Sequence, residues 1–169
     1  MNLIAHRGNL TGPDPDNENS PEKIERTRKM GFAVEVDIWY DPKHGWWLGH
    51  DAPKYPVDSA FLFNDVFDLK VGRIFFHAKN VEALVMLNRV RMDTYFEPND
   101  FFWHEEDEYT LTGAGFIWAY AKPDVLISND VIVAMPENAK LTRLDLEGIW
   151  GVCTDYPLEY KVNDNERKN

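Results

Sequence analysis

In the segment Ala33-Val34-Glu35-Val36-Asp37-Ile38, two carboxylates stand two residues apart among apolar neighbours. Strand side chains alternate between faces, so Glu35 and Asp37 share one face while Val34, Val36 and Ile38 take the other. Two carboxylates on one face of a buried strand repel each other and are costly to desolvate unless something compensates them. A divalent cation is the simplest compensation, and hard oxygen ligands suit Mg²⁺ or Ca²⁺. The plain alternative is an acidic face open to water, as in an antiparallel sheet. His6-Arg7 ends the first apolar run, and His50 ends the hairpin that follows Asp37. In a parallel sheet those ends lie on one rim, where two imidazoles could serve as general base and general acid. The planar fork of Arg7 could bind an anionic group beside them. A histidine at a strand end is as readily structural, and that alternative stays open here.

The elements that must position these residues follow from the pattern. Asn2 to Ala5 is a short buried strand, and the Gly-, Pro-, Asn- and Asp-rich stretch from Asn9 to Asn19 is a loop. Ser20 before Pro21 and Glu22 starts a helix that stops near Met30 at Gly31. Phe32 to Tyr40 is a strand, turned at 41–45 into a second strand, Trp46 to Leu48. Arg73 to Ala78 is another strand, followed by a helix from Asn80 to about Val90. Further strands are expected at Phe101 to Trp103, Gly115 to Tyr120, Asp124 to Ile127 and Gly148 to Cys153. Strand, helix, strand repeated along the first half favours parallel α/β crossovers.

A chain of 169 residues supports one domain, read here as residues 1–161 with a polar tail over 162–169. The net charge of −11 argues against nucleic-acid binding. No apolar run approaches the roughly 20 residues of a membrane span. One cysteine, Cys153, excludes an internal disulfide and makes a reduced, cytoplasmic compartment the default; it is most simply a core residue. His44, in a Pro/Gly turn, is left outside the site. The 10 Phe, 7 Tyr and 6 Trp need large packed surfaces.

Taken together, His6-Arg7-Gly8, Glu18-Asn19-Ser20, Gly31 with Val34-Glu35-Val36-Asp37, and Gly49-His50-Asp51 resemble the N-terminal signature of the glycerophosphodiester phosphodiesterase family. That family lies within the phosphatidylinositol-specific phospholipase C-like phosphodiesterase superfamily, of which this chain resembles a short, divergent member. Weaker echoes are His77-Ala78-Lys79, where the family usually has Glu-x-Lys, and Thr154-Asp155-Tyr156-Pro157, similar to a closing Thr-Asp-x-Pro turn. The resemblance implies a (β/α) barrel of the TIM type with a divalent metal at its C-terminal rim, hydrolysing a glycerophosphodiester. By that likeness His6 and His50 are the acid/base pair, Glu35, Asp37 and His77 the metal ligands, and Arg7 and Lys79 the phosphate-facing cations. Glu18 would help order the first loop near Arg7 and the substrate.

Two departures qualify the likeness. His77 stands where the family has a glutamate, which removes one negative charge and moves preference from Ca²⁺ or Mg²⁺ toward Mn²⁺ or Zn²⁺. It reads as ligand, phosphate donor or packing residue. The chain after Lys79 is also too short for the remaining crossovers, each of which takes upwards of about 30 residues. The expected fold is therefore a trimmed TIM-type barrel with several helices shortened or missing in its second half. The aromatic run Phe101-Phe102-Trp103 could fill it, while His104 and Asp107 could instead line the pocket and select substrate. Apolar strand backs left bare by missing helices could be covered by a second copy of the chain. Two other functions fit less well: a catalytically silent phosphate-binding barrel, and a zinc amidohydrolase, for which the first strand lacks a His-x-His pair.

Overall fold

The structure, a computed structural model, describes residues 1–63, 72–93 and 100–166; the last three residues of the expected tail lie outside them. In chain order the elements are β1 (Asn2–His6), α1 (Pro21–Lys29), β2 (Ala33–Asp41), β3 (Gly45–Leu48), β4 (Tyr55–Val57), α2 (Ser59–Phe63) and β5 (Ile74–Ala78). They continue with α3 (Val81–Asp93), β6 (Asp100–Phe102), β7 (Tyr109–Leu111), β8 (Ile117–Tyr120), β9 (Val131–Ala134), β10 (Gly151–Thr154) and α4 (Pro157–Glu166).

The ten strands form one curled, mixed sheet, a half-barrel with few and short helices, and not the trimmed TIM-type barrel expected from the sequence. Strands β6, β5, β2, β1, β10, β9 and β8 run parallel in that spatial order, and β7 pairs antiparallel with β8. The physical reason for the correction is chain length. Parallel neighbours need a crossover of a dozen or more residues, usually helical. Residues 121–130, between β8 and β9, contain no helix, and residues 135–150, before β10, contain only the 3-10 turn Pro136–Ala139. These irregular segments replace helices as the outer cover. Val125, Leu146 and Ile149 pack against Val131, Val133 and Val152 on the backs of β9 and β10. The strand expected at Asp124 to Ile127 is part of this cover, and the strand is instead the apolar run Val131–Ala134.

Helices do cover the first half. α1 begins after Ser20, whose backbone is extended at ψ 140, takes Pro21 in its first turn and ends before Gly31 at φ 85. Its Ile24, with Ala83 and Leu87 of α3, packs on Val34, Val36, Ile38, Ile74 and Phe76. Gly72 lets this layer close: a Cβ there would lie 1.7 Å from the Phe32 carbonyl oxygen.

The opposite, concave face is stratified. Its floor is Ile4, Phe75, Phe102, Trp118, Ile132 and Cys153, with Phe116 and Trp150 packed beneath. Phe102 stacks on Trp118 at 4.3 Å between centroids, so the aromatic surplus fills the curl. In-register pairing of His6 with Glu35 and of Asp37 with His77 raises a polar layer directly above this floor.

Candidate metal centre and its surroundings

Glu35 and Asp37 are only 2% and 1% exposed, so the acidic face is not wet. The long strand β2 carries both into the concave face because Val34, Val36 and Ile38 claim the helix-covered side. His77, one strand over, completes a group whose three ligating atoms all lie within 4.8 Å of one another. Its Nδ1 is 3.1 Å from Asp37 Oδ1 and 3.9 Å from Glu35 Oε1. Asp37 Oδ1 is nevertheless a buried atom with no hydrogen-bond partner among the described residues. On its other side, His77 Nε2 is 3.4 Å from the His104 carbonyl oxygen. A carbonyl can only accept, so Nε2 carries a hydrogen, and Nδ1 is the nitrogen turned toward the two carboxylates, where it could ligate a cation held between them. Ligating histidines usually anchor their second nitrogen in this manner. An orphaned buried carboxylate oxygen beside such an imidazole fits a bound metal ion, and this group could hold one.

The two carboxylates are not equivalent. Burial pushes the Glu35 carboxyl above the usual range, and the Asp37 charge adds to the effect. Burial acts in the same direction on Asp37 but is more than offset by His77, Arg7 and Lys79, which hold it well below the usual range. Arg7 Nε lies 3.0 Å and Lys79 Nζ 3.5 Å from Asp37. Asn19 grips the same residue twice, donating from Nδ2 to Oδ2 and accepting the Asp37 backbone N–H, each at 2.9 Å.

Arg7 links the site to the first loop. Its Nη1 donates to Glu18 Oε1 at 2.7 Å, and its backbone N–H donates to Glu35 Oε2 at 3.2 Å. Arg7 also has a left-handed backbone, φ 50, which is strained for a non-glycine residue and is held by the contacts around it. Glu18 thus lies against Arg7 at the end of the first loop.

His6 does not stand alone. Its Nδ1 donates to Asp155 Oδ1 at 2.9 Å, leaving Nε2 free as a base 4.0 Å from Glu35 Oε2. Burial lowers the imidazole pKa, but the Asp155 bond and the Glu35 charge outweigh it and the net shift is upward. Asp155 is in turn bonded by Asn9 Nδ2 at 2.8 Å, and Glu137 accepts from the Thr154 hydroxyl and the Asp155 backbone N–H.

His50 is placed differently. It is 39% exposed and paired with Asp51 at 2.7 Å. It reaches the site only as one wall of a cavity of about 240 Å³, shared with His77, Lys79, Trp103, His104 and Tyr120. Of the two residues read as pocket-lining in the aromatic stretch, His104 lines this cavity and Asp107 is exposed outside it. His104 is neutral, its pKa lowered to about 4 by burial and by His77. His44 is exposed in its turn, and Cys153 is buried in the floor.

Asp155, Asn9, Asn19, Tyr120 and Glu137 were not among the site residues read from the sequence. Thr154-Asp155 was visible only as an echo, and Asn19 had the signal of adjoining Glu18. Tyr120 and Glu137 carry none, because they depend on which strands become neighbours. Among the described residues no helix is long and apolar enough to cross a membrane. Comparison with protein-family models, curated proteins and solved structures finds no match.

Proposed function

We propose that this protein is a divalent-metal-dependent hydrolase of small phosphodiesters, of the glycerophosphodiester type that its N-terminal motifs resemble. The observation that carries this reading is the meeting, on one rim, of a buried Glu35–Asp37–His77 group, two cations and a His6–Asp155 pair. One imidazole beside two carboxylates moves the preference away from the hard ions Ca²⁺ and Mg²⁺ and toward Mn²⁺. When bound, the metal supplies Lewis-acid stabilisation of charge on the phosphoryl oxygens.

The protein's residues supply the rest. Arg7, braced by Glu18 and Asp37, has further N–H groups for a non-bridging phosphate oxygen, and Lys79 places a second positive charge beside it. His6 Nε2 accepts the proton of an attacking water as the new P–O bond forms, while Asp155 orients the ring and stabilises the imidazolium. The bond from phosphorus to the leaving alcohol breaks, and His50, on the cavity wall, protonates the departing oxygen. The products are a phosphomonoester and an alcohol. A cavity of about 240 Å³ suits a small headgroup rather than an acyl chain.

The test is alcohol release from a panel of glycerophosphodiesters by chelator-stripped protein after addition of Mn²⁺, Mg²⁺ or Ca²⁺. Hydrolysis is expected with Mn²⁺ or Mg²⁺, and loss of it in His6→Ala. Tight retention of a diester without turnover would make the chain a binding protein instead. No hydrolysis and no binding with any of the three metals would overturn the proposal.

A further inference from the structure

We infer that His104 is a positioning residue that fixes the plane and tilt of the His77 ring, so that Nε2 keeps its hydrogen on the His104 carbonyl and Nδ1 faces Glu35 and Asp37. The inference deepens the metal-site reading above and rests on it, but it concerns how this chain makes a histidine serve at that place.

A histidine ligand has two ring nitrogens, and a free ring can flip or present either one. His77 is denied that freedom from two directions. Its ring is stacked on Phe102 at 5.0 Å and 8° between planes, and on His104 at 4.4 Å and 10°. The His104 carbonyl oxygen also accepts Nε2–H at 3.4 Å, so the same residue grips His77 through backbone and ring.

His104 can serve as a wall only if its own ring is fixed, and its contacts fix it. Nδ1 is 3.3 Å from the Glu105 carbonyl oxygen, which can only accept, so Nδ1 carries the hydrogen. Nε2 is then an acceptor, and the Tyr120 hydroxyl donates to it at 3.3 Å. The Tyr120 ring meets His104 edge-on at 76° between planes and 5.0 Å between centroids. Tyr120 therefore braces His104, and His104 braces His77, across the space between β8 and β5.

The experiment reads His77 without any substrate. ¹⁵N-resolved imidazole spectra of chelator-treated protein report the tautomer, and isothermal titration with Mn²⁺ reports affinity. In the wild type, His77 is expected to carry a hydrogen on Nε2. His104→Ala keeps the carbonyl but deletes the stacked ring, so the His77 ring is free to turn away from that carbonyl; a mixture of ring states is expected, with Mn²⁺ affinity lower by about 10- to 100-fold. His104→Phe keeps the stack and is expected to stay near wild type, which guards against simple misfolding of the alanine variant. Tyr120→Phe, which removes only the hydroxyl, should give a smaller loss of affinity.

An unchanged His77 tautomer and Mn²⁺ affinity in His104→Ala would overturn the inference. So would a wild-type His77 bearing its proton on Nδ1 with Nε2 bare. A wild type that binds no Mn²⁺ but shows the tautomer and its loss refutes the metal reading and leaves the role of His104 standing. Mn²⁺ binding with no phosphodiester hydrolysis refutes only the proposed activity.

Discussion

Replacing Glu35 by Gln should make the metal-free protein more stable while removing its response to metal. The side chains are nearly isosteric, and glutamine keeps a carbonyl oxygen for the Arg7 backbone N–H that now donates to Oε2 at 3.2 Å. What disappears is a buried charge beside a second one. Ligating atoms of Glu35 and Asp37 lie within 4.8 Å, where two unit charges repel by about 3.5 kcal/mol at an effective dielectric constant of about 20. Asp37 takes the close cationic partners, Arg7 at 3.0 Å and Lys79 at 3.5 Å, while Glu35 has His6 and His77 only at 4.0 and 3.9 Å. The lost attraction to His6 reduces the net gain to about 1–3 kcal/mol at pH 7. Because folding raises the Glu35 pKa, the folded state binds that proton more tightly than the unfolded state. Glu35 therefore costs the wild type stability as pH rises from about 4.3 through the raised value, and the variant avoids this loss. The gap should be wider at pH 7 than at pH 4. Mn²⁺ at about 100 times its dissociation constant adds about 2.7 kcal/mol to the wild type and nothing to the variant. Urea unfolding followed by tryptophan fluorescence, at both pH values and with chelator or Mn²⁺, measures all of this. A variant less stable than wild type in chelator at pH 7 would refute the reasoning and make Glu35 a structural partner of His6 and Arg7.

Asp155→Asn should remove the partner that raises the His6 pKa, moving the acidic limb of the activity profile to lower pH. His6 contributes stability fully present below about pH 6.5 and lost as pH rises through its raised pKa, whereas Asp155, held low despite its burial by bonds to His6 and Asn9, contributes above about pH 3.9. The stability difference from wild type in urea melts should therefore peak between those limits; a flat difference would count against the pair. Arg7→Lys cannot reproduce a fork reaching both Glu18 and Asp37, and should cost about 1.5–3 kcal/mol of stability and raise KM for a diester more than it lowers kcat. Gly72→Ala places a Cβ 1.7 Å from the Phe32 carbonyl oxygen and should cost about 3 kcal/mol or more in thermal unfolding; a melt like the wild type's would contradict that close approach.

What could be read from the sequence was local. Alternation put Glu35 and Asp37 on one face, and Pro21 and Gly31 bracketed a helix, because both signals lie within a few residues. The architecture depended on how the chain crosses between β8, β9 and β10, and irregular cover there leaves no periodicity to read. The strand Val131–Ala134 was missed although it is an unbroken apolar run, because a run of four fits a buried strand or a helix segment equally. For the site, residues preceding or ending the first strands were visible, but the partner of His6 lies 149 positions away and the bracing of His77 involves a strand reached only on folding. Such long-range pairings are set by the closing register, which no single stretch of sequence encodes.

The curl of the sheet has a consequence for how the pocket is walled. Among the described residues no ladder joins β6 to β7; Gly113 N–H donates to the Phe101 carbonyl at 2.7 Å, Ala114 N–H to the Asp100 carboxylate, and Thr110 to the Trp103 carbonyl. Isolated bonds of this kind hold a seam where a continuous ladder would hold a wall. His77 belongs to one lip of that seam and Tyr120 to the other, with His104 bridging them. Among the described residues this seam is thus the least reinforced line of the sheet, and the two walls of the cavity are tied across it by side chains and single backbone bonds, not by paired strands.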